Sequence, residues 1–191
     1  MKKVVSGSIV IIIVMVAMIA CTGGRKESNA KYDSLFLGIS LGMESKAFYD
    51  HCWEYNKQKI FTHGPTNRNV EYRLIDNINS PVSMRFYPTF YKNKIFEMPV
   101  TFTYEAWAPW NRQYHSDSLL VNMLKVFKTW YGPDFKELNH HTMGKVYYKM
   151  DGKRRINLFI KDDQFVQAVF TDLKVEKELK KLSEEQSKQA N

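Results

Sequence analysis

Hydrophobic positions along the chain change period several times, and the changes mark out its elements. From Ile9 to Ala20 every side chain is apolar. A second apolar run, LFLGISLG over residues 35–42, ends on a glycine turn. Ser45 then stands where a helix cap is expected, ahead of a helix over residues 46–58. Phe48, Cys52 and Tyr55 fall on one face of it at i, i+4 and i+7, with Tyr49 and Trp53 widening the stripe. This helix should stop near Lys59, before the turn-forming His63-Gly64-Pro65. Three alternating stretches follow. They are Val70, Tyr72 and Leu74; then Val82, Met84, Phe86, Pro88 and Phe90; then Phe96, Met98, Val100, Phe102 and Tyr104. The last two are joined by Tyr91-Lys92-Asn93-Lys94 and read as a hairpin. Pro88, which cannot donate to a ladder, argues for an edge or a bulge.

The order then starts over. Ser116 or Asp117 caps a helix carrying Leu120, Met123, Leu124, Phe127 and Tyr131, and Gly132-Pro133 ends it. Val146, Tyr148 and Met150 alternate, Asp151-Gly152 signals a hairpin, and Ile156, Leu158 and Ile160 continue it. Lys161-Asp162-Asp163-Gln164 turns into a strand over residues 165–171, and Asp172 caps a last amphipathic helix with Val175, Leu179 and Leu182 on one face. The expected fold is therefore α+β. Two tandem helix–strand–strand–strand units form an antiparallel sheet with helices packed on one face, plus a C-terminal helix. Unit one spans about 35–105, a connector 106–115, unit two about 116–172 and the C-terminal helix 173–182, all one domain, with a frayed tail over 183–191.

The N-terminal run has Lys2 and Lys3 before it and the length of a signal-peptide core. It closes on Met18-Ile19-Ala20-Cys21, then Thr22-Gly23-Gly24. This resembles the lipobox of bacterial lipoproteins, with Met18 where Leu is usual. The resemblance implies a signal peptide over residues 1–20, a lipidated Cys21 and a polar tether over 21–34. It also implies residence in the cell envelope, on the outer membrane facing the periplasm; the lack of an acidic run after Cys21 favours that side over the cell surface. An uncleaved anchor and plain secretion are the competing readings. Loss of Lys2 and Lys3 with the leader takes the formal charge from +8 to +6. The only cysteines in the sequence are Cys21 and Cys52, so lipidation of the first leaves the second without an intramolecular partner.

The sequence has no HExxH and no phosphate-cradling glycine loop. His140 and His141 are adjacent and the other histidines scattered, so no metal and no cofactor is expected. Cys52, on an apolar helical stripe, reads as a small hydrophobe, and Asp162-Asp163 as turn chemistry. Two groups remain. The connector carries Trp107, Trp110, Arg112 and Tyr114, which either plug the seam between units or recognise a partner. Lys145, Lys149, Lys153, Arg154 and Arg155 form a basic cluster around the second unit's first hairpin. It reads as a solvated face or one attracted to anionic envelope surfaces; nucleic acid is not an expected partner in that compartment.

Gly38-Ile39-Ser40-Leu41-Gly42-Met43, followed by a Ser-initiated helix, resembles the start of small lipoproteins of the SmpA/BamE type. The tandem unit, with Tyr131-Gly132-Pro133 closing its second helix, resembles the β-lactamase-inhibitor-protein-like fold. These resemblances imply a non-enzymatic accessory lipoprotein that binds another envelope protein. A module binding glycan or a small molecule through the connector aromatics is the alternative, and an unrecognised enzyme the third.

Overall fold

A computed structural model describes residues 32–189 except Asn67. The expected signal peptide and the expected lipidation site, Cys21, lie outside the described residues. Among the described residues three long helices, α1 (Ser45–Lys57), α2 (Ser116–Tyr131) and α3 (Leu173–Gln189), accompany nine strands. In the first unit the strands are β1 (Phe61–His63), β2 (Val70–Leu74), β3 (Val82–Phe86), β4 (Thr89–Tyr91) and β5 (Lys94–Tyr104). In the second they are β6 (Lys136–His140), β7 (Gly144–Asp151), β8 (Arg154–Ile160) and β9 (Val166–Asp172). All lie in one antiparallel sheet of order β1-β2-β3-β5-β9-β8-β7-β6, with β4 alongside β5. Each unit is a meander, and the two meet through their last strands, so the halves are related by a pseudo-two-fold axis between β5 and β9.

The α+β class and the repeated order hold, with two strands more in the first unit and one more in the second than the periodicity predicts. β1 has three residues and β6 is the polar sequence KELNH, so neither carries a legible alternation. Both are edge strands, where shortness and charge guard against unwanted pairing. The stretch Val82–Phe90 is not one strand. It breaks at Tyr87-Pro88 into β3 and β4, both paired to the long β5. Met98 and Pro99 of β5 fall opposite that break, so the proline's missing donor costs no bond of the β3–β5 ladder. Beside it β5 bulges. Thr89 pairs with Glu97 and Phe90 with Ile95, which leaves Phe96 as the extra residue. Ile95, not Phe96, therefore turns into the core. The hairpin itself forms as expected, with Lys92 and Asn93 both at positive φ.

One face of the sheet carries the core. Cross-strand rows Met84–Phe102–Val166, Phe86–Val100–Ala168–Leu158 and Met98–Phe170–Ile156 are all buried. Helix α2 covers them with Leu119, Leu120, Met123, Val126 and Phe127. The Phe127 ring lies 5.8 Å from Phe102 and 5.9 Å from Phe170. Helix α1 packs mainly on β1, not over the centre. Only its Phe48 is fully buried, while Trp53 and Tyr49 face solvent. The span between the helices is filled by the segment before α1, whose Leu35, Phe36, Ile39 and Leu41 are buried. Neither Ser45 nor Ser116 caps with its hydroxyl; each is the first residue of its helix. Asp172 does cap, its Oδ1 accepting from the amides of Lys174 and Val175. Helix α3 does not fray at Ser183 but continues to Gln189. No helix among the described residues is long and apolar enough to cross a membrane.

Candidate functional site

The connector after β5 separates its aromatics. Trp107 is half-buried against the core, with its indole nitrogen enclosed and its ring 6.3 Å from buried His115. Tyr114 sits on a single 3-10 turn (Arg112–Tyr114) and makes an edge contact with Tyr104 at 5.3 Å. These two pack against the core. Trp110 instead is 84% exposed, and Arg112 is exposed two residues on. The connector thus offers one open indole and one guanidinium on a segment pinned at both sides. That is enough for an anchor at a protein interface, where Trp and Arg concentrate binding energy. It leaves a single ring for stacking on a glycan.

The five basic residues do not form one patch. The apolar triad Val146, Tyr148 and Met150 lies on the outer face of the sheet, so Lys149 points inward. Lys149 is buried, with Nζ 3.4 Å from both Asp134 and Asp151. Arg154 is buried beside it. It donates to Asp151 at 3.0 Å and to the Ser34 carbonyl, and lies 5.0 Å from the Tyr131 ring centre. Lys153 bridges Asp172 at 3.0 Å and Asp33 at 3.3 Å. Burial works against its charge, but the two carboxylates outweigh it and hold the Lys153 ammonium above its ordinary range. Arg155 faces the opposite side and pairs with Glu176 of α3, while Lys145 pairs with Glu137 on the edge. Each of the five is committed to a carboxylate, which argues against a face held open for anionic surfaces. The partners at Asp33, Asp134 and Asp172 are far away in sequence, and no local signal announced them.

Cys52 is partly buried, and burial pushes its thiol up to about 11, away from nucleophile chemistry. His140 and His141 stack at 4.6 Å at the end of β6, and no cluster of His, Cys, Asp or Glu among the described residues could hold a metal. Asp162 forms the expected turn, its Oδ1 accepting from Gln164 and Phe165.

A cleft that the periodicity did not signal opens between β2 and the C-terminal turn of α2. Its volume is about 550 Å³, and Tyr72, Asp76, Asn77, Trp130, Tyr131 and Arg154 contribute to its lining. Leu35, Phe36 and Leu37 of the segment before α1 also line it. No family model, curated protein or solved structure matches the chain.

Proposed function

We propose that this chain is a non-enzymatic, lipid-anchored envelope protein that binds another protein. The anchor is Cys21, placed by the lipobox-like Met18-Ile19-Ala20-Cys21 on the outer membrane and facing the periplasm. Several acyl chains there would hold it firmly, at about 0.8 kcal/mol per buried CH₂. The observation that carries the binding reading is Trp110. A tryptophan 84% exposed, beside Arg112 on a connector fixed by Trp107 and Tyr114, is a pre-ordered anchor whose burial needs a partner. The part of the outer face that α3 leaves uncovered adds surface, since α1 and α2 cover the opposite one. The resemblance to SmpA/BamE-like and β-lactamase-inhibitor-protein-like domains supports an accessory role of this kind.

The test is affinity capture from envelope extracts with the full-length protein. A partner retained by the parent and by Trp53→Ala should be lost with Trp110→Ala plus Arg112→Ala, the circular dichroism being unchanged. Retention by the double variant sinks the connector as the docking site. Mass spectrometry of the mature N-terminus checks the anchor separately: an unmodified Cys21, or an intact leader, would remove it.

A further inference from the structure

We propose that the cleft between β2 and the end of α2 binds a neutral saccharide, one or two sugar units long. About 550 Å³ lies within the range of small-ligand sites. Its aromatic walls are preformed. Trp130 and Tyr131 stand at 87° with centroids 6.0 Å apart and make a corner. Trp130 is braced by the nearly parallel Phe127 ring, yet 36% of it stays exposed. Tyr131 cannot swing away, because its hydroxyl donates to the Leu35 carbonyl at 2.8 Å and its ring lies against Arg154. Half-buried Tyr72 adds a third ring from β2.

The polar lining decides the ligand class. Asp76 and Asn77 are exposed acceptor and amide groups after β2. Burial, and then the Asp76 charge, raise the Tyr72 hydroxyl above the usual phenol range, so it stays a donor. Arg154 is 4% exposed, and its buried Nε–H has no hydrogen-bond partner. Its charge is already offset by Asp151, and Asp76 contributes the opposite sign. The cleft therefore has no cationic surplus with which to favour a phosphate or carboxylate. Asp76 and Asn77 would lose their hydration under a purely apolar ligand. Flat C–H-accepting walls with mixed donors and acceptors between them match a pyranose ring, apolar on its faces and hydroxylated at its edge.

The experiment uses the full-length protein in a zwitterionic detergent without a sugar headgroup. Saturation-transfer NMR and calorimetry are run with glucose, N-acetylglucosamine, maltose and cellobiose, and with glucuronate and glucosamine as charged controls. At least one neutral sugar should bind saturably, with a Kd of about 1 mM or tighter. Asp76→Ala, a solvent-facing change that leaves the core alone, should weaken it at least tenfold, and Trp130→Ala should abolish it. Trp110→Ala should leave it unchanged, which separates this site from the connector. The proposal is overturned if no neutral sugar saturates the folded protein, if Asp76→Ala binds like the parent, if Trp110→Ala removes binding, or if glucuronate or glucosamine outcompetes its neutral counterpart.

Discussion

At the scale of single residues, the inward-facing charges carry the sharpest consequences. Removing one member of a buried ion pair strands the other, which typically costs about 3–5 kcal/mol, whereas a solvent-screened pair is worth about 1 or less. Arg154→Ala should therefore lower the urea unfolding free energy by about 3 kcal/mol, leaving the Ser34 carbonyl short of a donor and Asp151 with Lys149 as its remaining cation. Its sequence neighbour gives the contrast: Arg155→Ala should cost about 1 kcal/mol, since its pair with Glu176 is partly screened by water. Glu97 supplies a pH test. Burial, then repulsion from Glu176, raise its carboxyl above the ordinary range, with Arg155 opposing. A raised carboxyl adds stability below its unfolded pKa and loses it as pH rises through the folded one. Ionised Glu97 thus burdens the fold at neutral pH. Glu97→Gln should raise the melting temperature at pH 7, and the gain should vanish at pH 4 or below; equal gains at both pH values would refute the assignment.

Elements show where pattern suffices and where it fails. The Lys92-Asn93 hairpin, helix α2 and its glycine stop were all legible, because turn chemistry and the 3.6-residue period act locally. Gly132 has φ +94°, a conformation that resists a side chain, and a Cβ there would meet the Lys149 ammonium at 3.7 Å. Gly132→Ala should accordingly cost about 1–3 kcal/mol in denaturant unfolding. The strand β7 shows the failure. Its period of two was visible, but Val146, itself buried, lies with Tyr148 and Met150 on the face opposite the core, while Tyr147, Lys149 and Asp151 lie on the core's face. Alternation fixes which residues share a face without saying which face is inside, and here the interior is polar because distant aspartates meet it. The Phe96 bulge misleads in the same way, exchanging the two faces within one strand. For α3, whose last turns are exposed, Lys-Glu spacing sustains a helix to Gln189 that packing does not require.

For the molecule as a whole, the repeat was readable from the order of elements and the manner of joining was not. Which strands meet across the seam depends on β5 and β9, and nothing in either strand names its neighbour. The candidate sites divide along the same line. Trp110 and Arg112 could be picked out by residue type, though only the fold separates them from Trp107 and Tyr114. The Trp130 cleft stayed hidden because its walls come from β2, α2 and β8.

The seam has a consequence for how the chain acquires its shape. Phe102 pairs with Val166 and Glu97 with Thr171, so the ladder encloses α2 and β6, β7 and β8 in one loop. Each meander can assemble from near neighbours within microseconds to milliseconds, whereas the entropy of closing that loop must be met before the ladder returns any energy. A chain emerging N-terminus first completes its first meander early and waits with β5 as a bare edge, unsatisfied until β9 arrives. That interval is its window for aggregation, and its length is set by how fast the second half is delivered.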